Sequence, residues 1–287
     1  MRLDDERESS NVEDRRGESG RGVGIPGGKL GIGGIVLVLV VSYFTGISPN
    51  TLLGMVPNTG TQQATPMSAP PANDEKTVFV SKILADTEDT WQGVFQAAGK
   101  TYPAPKLVLF TGSTPTACGN GSAAMGPFYC GADQKVYIDL AFYQELKDRY
   151  HAPGEFAEAY VIAHEVGHHI QHLLGTSDQV QQAQQKAANS AVANALSVRL
   201  ELQADCYAGI WGYHADQTEH RIEPGEVEQA LTAAAAIGDD QLQKQSQGYA
   251  VPDTFTHGTS AQRVKWFTRG METGDLAQCN TFAAKDL

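Results

Sequence analysis

The pattern of apolar and polar positions divides the chain into four stretches. Residues 1–29 hold few apolar side chains, one proline and many charges of both signs, the composition of a disordered leader. "LGIGGIVLVLVVSYFTGI", residues 30–47, has no charged side chain in 18 positions, about the length that spans a bilayer as a helix. Residues 48–76 place Pro49, Pro57, Pro66, Pro70 and Pro71 among polar residues and read as a semi-extended linker. Periodic patterning starts near Thr77, so residues 77–287 are expected to form one folded domain.

In "VSKILADTEDTWQGVFQAAG", Val80, Ile83, Leu84, Thr87, Trp91, Val94 and Phe95 recur on one helical face. Gly99 and Pro103 end that helix. "KLVLF", Lys106–Phe110, reads as a buried strand, and a loop rich in Gly, Ser and Thr follows. "PFYC" and "KVYIDLAFY" flank "GADQ" as a strand pair in a hairpin. From Glu155 onward the signals are helical. One helix carries "VIAHEVGHHIQHLLG" and a second runs from about Ser177 to Tyr213. A third lies in "PGEVEQALTAAAAI", a fourth follows Gly238, and a last runs from the Thr259/Ser260 cap to about Thr273. A small sheet followed by many helices predicts an α+β domain, mostly helical.

Charge and cysteines refine this outline. A formal net charge of −12 excludes nucleic acid as an expected partner, since phosphate binding needs a basic surface. A cleaved signal peptide would need a short charged leader and a small-residue site directly after the apolar run. Here the leader is long and the run continues into "SPNTLLGMV", so an uncleaved transmembrane anchor is expected. Arg2, Arg7, Arg15, Arg16, Arg21 and Lys29 precede the span, and no Lys or Arg follows it before Lys76. That asymmetry predicts a cytoplasmic N-terminus and a translocated domain. Cys118, Cys130, Cys206 and Cys279 all follow the span, an even count without CxxC, as for two disulfides in an oxidising compartment. Of three possible pairings, Cys118–Cys130 closes a short Gly-rich loop and Cys206–Cys279 ties the C-terminal tail to a helix; these two are favoured.

The chemistry concentrates in the histidine-rich helix. His164 and His168 are i, i+4, so their side chains converge on one point. Glu165, beside His164, can reach over a metal without ligating it. This is H-E-x-x-H: two imidazoles for zinc and a carboxylate to accept a proton from water. His168 and His172 share the spacing but lack a following Glu, and His169 is turned about 100° from His168; both are assigned to the flank. Gly167 costs helix stability, which makes sense if something approaches the backbone closely there. Catalytic zinc needs a third protein ligand. The elongated motif with a third histidine is absent, because position 171 is Gln and 174 is Leu. In "RLELQADCYAG", Glu201 and Asp205 are again i, i+4, and Ala204 and Ala208 would let the two helices pack closely. Glu201 could instead pair with Arg199 or face solvent.

H-E-x-x-H followed by E-x-x-A-D resembles the gluzincin metallopeptidases, in particular the membrane-associated HtpX/Ste24 type. Those also carry a later Thr-His-x-x-x-x-x-Arg segment, present here as "THGTSAQR", with Gly258 where that group usually has Pro. The whole chain is similar to the bacterial YpfJ-like family of neutral zinc metallopeptidases. The likeness rests on "RESSNVEDRR", "MGPFYC", "VYIDLAFY", "AHEVGHH", "ELQADCYAG", "AIGDDQLQKQSQG", "PDTFTHGTSAQR" and "QCNTF". It implies a zincin-like domain with His164, His168 and Glu201 as zinc ligands and Glu165 as general base. It also implies Asp205 as the residue that orients a ligand histidine. His257 resembles a later histidine that hydrogen-bonds the oxyanion; the bland reading is a helix cap, and Arg263 reads as structural.

These parts predict a zinc-dependent endopeptidase of the bacterial inner membrane, its catalytic domain periplasmic and its substrate a protein or peptide. Either His257 or Tyr207 is expected to steady the developing negative charge. "KVYIDL" is a candidate edge strand for an extended substrate. Two rivals stand beside this: a zinc-stabilised scaffold of the envelope without turnover, and a zinc hydrolase of a non-peptide amide.

Overall fold

The computed structural model describes residues 1–18 and 74–287. The described fold lies in one compact unit, Met1–Arg16 with Pro70–Leu287. It opens with a strand where a disordered leader was expected. β1, Val12–Asp14, pairs in parallel with β2, Lys106–Phe110. β2 pairs in parallel with β6, Lys135–Asp139, and β6 is antiparallel to β5, Phe128–Cys130. The order β1-β2-β6-β5 makes β5 an edge and leaves β6 inside the sheet. "KVYIDL" therefore has both neighbours and offers no free edge, which corrects the expectation for it.

Side chains alternate across the sheet, and each face has its own apolar layer. Leu107, Leu109, Val136 and Ile138 join the main helical core. Val108, Phe110, Tyr137 and Cys130 form a second layer with Phe128. A hairpin of β3, Ser113–Thr116, and β4, Gly119–Ser122, lies against that layer, Gly121 sitting directly over the Phe128 ring. This hairpin occupies the stretch read as a loop.

α1, Glu75–Ala97, starts at Asp74, whose carboxylate accepts from the Thr77 amide at 3.0 Å. It buries Val80, Ile83, Leu84, Trp91 and Phe95, the face expected of it. After β6 the chain turns sharply. Asp139 accepts from the backbone of Gly112 at 2.8 Å and of Ala141 at 2.9 Å, and α2, Ala141–Asp148, begins there. "AFY" is thus helix where strand was expected. α3, Glu155–Leu173, carries the histidines. The second long helix expected after Ser177 is two: α4, Thr176–Gln185, and α5, Ser190–Gln217, whose break is set by the Asn189 cap on the Val192 amide. α6, Glu226–Ala236, α7, Asp239–Gln247, and α8, Ser260–Thr273, complete the domain. α5 and α8 touch backbone to backbone at Gly209 and Gly270, where any Cβ would collide. Among the described residues no helix is long and apolar enough to cross a membrane. The run 30–47, on which the anchor expectation rests, lies outside the described residues, as does nearly all of the linker.

Candidate metal centre

α3 presents His164 and His168 one turn apart, and α5 brings Glu201 to meet them. Close approach is possible because Gly167 has no side chain: a Cβ there would sit 2.9 Å from the Ala204 carbonyl oxygen and 3.1 Å from its Cα. The cost of Gly167 in a helix thus has the cause proposed for it. One donor atom from each of His164, His168 and Glu201 can lie within 4.8 Å of the other two. His164 Nε2 is 3.2 Å from Glu201 Oε2, and His168 Nε2 is 3.4 Å from Glu201 Oε1.

The far side of each ring is fixed. His164 Nδ1–H donates to Asp205 Oδ1 at 2.8 Å, and His168 Nδ1–H donates to Gln171 Oε1 at 2.9 Å. Both imidazoles thereby turn Nε2 toward Glu201, a donor set that suits a zinc ion once each Nε2 is deprotonated. Asp205 is fully buried and also accepts from Tyr160 Oη at 2.6 Å and from Arg263 Nε and Nη2 at 2.8 and 2.9 Å. Burial pushes the Asp205 carboxyl up, but Arg263 and His164 outweigh it and hold it well below the usual range. Glu201 follows the same logic: burial raises it, and His168 with His164 brings it well below the ordinary value. Gln171 also donates to the Leu200 carbonyl at 2.6 Å, so it clasps α3 to α5.

Glu165 behaves differently. It is 7% exposed, lines the cleft, and its carboxylate makes no hydrogen bond among the described residues. Burial raises its pKa against the opposing pull of His168 and His164. A buried carboxylate without a hydrogen-bond partner, next to three groups that could hold a metal ion, is placed to exchange a proton with something that enters.

The cleft measures about 590 Å³ and runs between the triad and the wall formed by β5, the loop before it and α2. His257 stands half-exposed in it, on the loop before α8. His257 Nδ1 lies 3.1 Å from Asp239 Oδ1, which lifts its pKa above the usual value. Asp239 Oδ2 meanwhile accepts from the amides of Thr256 at 2.7 Å, His257 at 2.6 Å and Gly258 at 3.1 Å. Gly258 has φ +91°, which proline's ring cannot reach, so the departure from the related group's pattern follows from this loop's path.

The remaining expected residues separate clearly. Tyr207 points into the core, edge-on to Trp91 at 5.7 Å, away from the cleft, so of the two expected donors only His257 is at the site. Arg263 braces Asp205. His169 is fully buried; its Nε2–H donates to the Pro103 carbonyl at 2.7 Å and its Nδ1 accepts from Tyr129 Oη at 2.9 Å. Burial lowers its pKa to about 4 and keeps it neutral. His172 flanks Tyr129 at 6.2 Å between rings. Cys118–Cys130 joins the hairpin to β5, and Cys206–Cys279 joins the tail to α5. The sequence does not assign Gln171, Tyr160 or Asp239 to the site. Asp239 shows there only as one of two acids after Gly238 at a helix junction, and Gln171 as a lone amide three residues past His168.

A family model described as "Putative neutral zinc metallopeptidase" matches residues 1–282. The "Uncharacterized protein YpfJ" of Escherichia coli K12 is 54% identical over 288 residues, covering 98% of this chain and 99% of that protein. The "Uncharacterized protein Rv2575" of Mycobacterium tuberculosis is 44% identical over 219 residues, 73% of each chain. No solved structure matches. With a family model across nearly the whole chain, and donors arranged as zinc requires, the chain belongs to the neutral zinc metallopeptidase family, whose cofactor is Zn2+.

Proposed function

We propose that the protein is a zinc-dependent endopeptidase in which Glu165 is the general base and His164, His168 and Glu201 hold the metal. Zinc in that site would act as a Lewis acid on water and on the scissile carbonyl. Glu165, raised by burial, accepts the proton of the attacking water and delivers it to the leaving amine. His257, whose pKa Asp239 raises, donates to the carbonyl oxygen as charge develops there. Asp205 and Gln171 hold the rings in one tautomer, and Arg263 keeps Asp205 ionised. An extended peptide can lie along the outer edge of β5, whose other edge is paired with β6. Apolar side chains that line the cleft beside it, Phe128, Phe142, Tyr150 and Val161, favour a bulky apolar substrate residue there.

The observation that carries this reading is the unengaged Glu165 carboxylate in the cleft. A scaffold needs no such group, and a structural zinc usually takes four protein ligands. The two disulfides support a site of action in an oxidising compartment. The test uses the full chain, wild type and Glu165→Gln, assayed for zinc content and for cleavage of an unfolded protein. Zinc at one per chain in both, with activity lower in the variant by about 10²–10⁴-fold, is expected. Equal zinc and equal activity would favour the scaffold; cleavage of small amides but no protein would favour the non-peptide hydrolase.

A further inference from the structure

The motif "RESSNVEDRR" takes no part in the chemistry above, yet it is docked along its whole length. Leu107 N donates to Asn11 O at 2.9 Å and Arg15 N to Leu109 O at 2.8 Å, which sets β1 on β2. Ser9 N donates to Ser81 O at 3.2 Å, and Ser81 Oγ returns a bond to Ser9 O at 3.1 Å. On α1, Glu88 accepts from Arg7 at 2.9 Å, Ser9 Oγ at 2.6 Å and Asn11 Nδ2 at 2.8 Å, and Asp89 accepts from Arg7 at 2.7 Å. Arg16 reaches Asp74 at 2.7 Å and Thr77 at 2.6 Å. Glu13 pairs with Lys135 at 2.9 Å and Lys106 at 3.2 Å, and buried Glu6 pairs with Arg221. The terminal amine of Met1 lies 3.0 Å from Glu155 and 2.5 Å from Glu226, the first residues of α3 and α6.

These contacts bear on which side of a membrane each part occupies. Hydrogen bonds and ion pairs cannot form across a bilayer. One crossing between Arg16 and Pro70 would put β1 and β2 on opposite sides and leave the outer edge of β2, Glu155 and Glu226 without these partners. Arg7, Arg15 and Arg16, three of the six cations counted toward a cytoplasmic N-terminus, are all engaged by acids in the fold. A cation held in an ion pair no longer acts as a free flanking charge, so the asymmetry behind the single-crossing expectation weakens.

We infer that Met1–Arg16 is an integral strand and clamp of the metal-site domain and lies on the same side of the membrane as that domain. This stands whether or not the site cleaves peptides.

The test places single cysteines at exposed Asp5 and at exposed Lys285 in separate full-length variants; the native cysteines are paired. Cells are treated with a membrane-impermeant maleimide before and after lysis. Both positions behaving alike, labelled in intact cells or only after lysis, is the expected result. Labelling of one in intact cells and of the other only after lysis overturns the inference. Docking is checked in the purified full chain: Arg7→Glu should lower the melting temperature, and adding Asp89→Arg should recover part of the loss. A charge reversal with no effect on melting would also overturn it.

Discussion

Replacing Gly167 by Ala tests the closest helix contact at the metal centre. In an isolated helix this exchange gains about 1 kcal/mol. Here the new Cβ would stand 2.9 Å from the Ala204 carbonyl oxygen, against 3.4 Å for ordinary contact, and the obstacle is backbone that no rotamer change can move. α3 and α5 must separate by about 0.5 Å, and overpacking of this kind costs about 1–3 kcal/mol. The helix gain is therefore cancelled or reversed. The larger consequence falls on metal binding. His164 and His168 ride on one helix and Glu201 on the other, while ligand distances tolerate only about 0.2 Å. Zinc affinity should fall on the order of tenfold or more, as when a supporting partner of a ligand is lost. Gly93 is the control: it lies within α1, and a Cβ there would meet nothing within 4 Å, so Gly93→Ala should stabilise. The assay is thermal unfolding of both variants with zinc and with chelator, plus competition for zinc against a chromophoric chelator. A Gly167→Ala protein that melts higher by the few degrees shown by Gly93→Ala, with unchanged zinc affinity, would refute the reasoning.

Arg263→Gln strands the buried Asp205 carboxylate and should lower unfolding free energy by about 3–5 kcal/mol in urea titrations. Asp239→Asn removes the carboxylate that lifts the His257 pKa. His257 then loses its proton at a lower pH, so the falling alkaline limb of kcat/KM against pH should move toward acid. Tyr129→Phe cuts the bond to His169 that ties edge strand β5 to α3; KM for an extended peptide should rise severalfold while zinc content and kcat hold, measured by steady-state cleavage.

The triad was legible because its spacing is local. His164, Glu165, His168 and the Glu201/Asp205 pair each lie within one helical turn of a partner, and a 3.6-residue period places them. Their supports were not legible. Asp205 meets Tyr160 and Arg263 across 45 and 58 residues of chain, and Asp239 meets His257 across 18. No periodicity encodes such pairings. β1 escaped notice for a related reason. "NVEDRR" has one apolar residue, Val12, so it carries no alternation, and its strand state depends on β2 and on acids of α1 far along the chain. "KVYIDLAFY" shows the opposite failure: its apolar content reads as one strand, and only the two amides that Asp139 caps reveal the turn into α2. The Ser177–Tyr213 stretch is rich in Ala and Gln, good helix formers throughout, so the Asn189 cap was a faint signal within a strong one.

The parallel pairing of β1 with β2 joins positions far apart along the chain, Val12 with Leu107. The entropy of closing so long a loop must be spent before the strand contacts return it. β1 should therefore seat late in folding, after β2, β6 and β5 have formed the sheet edge that receives it.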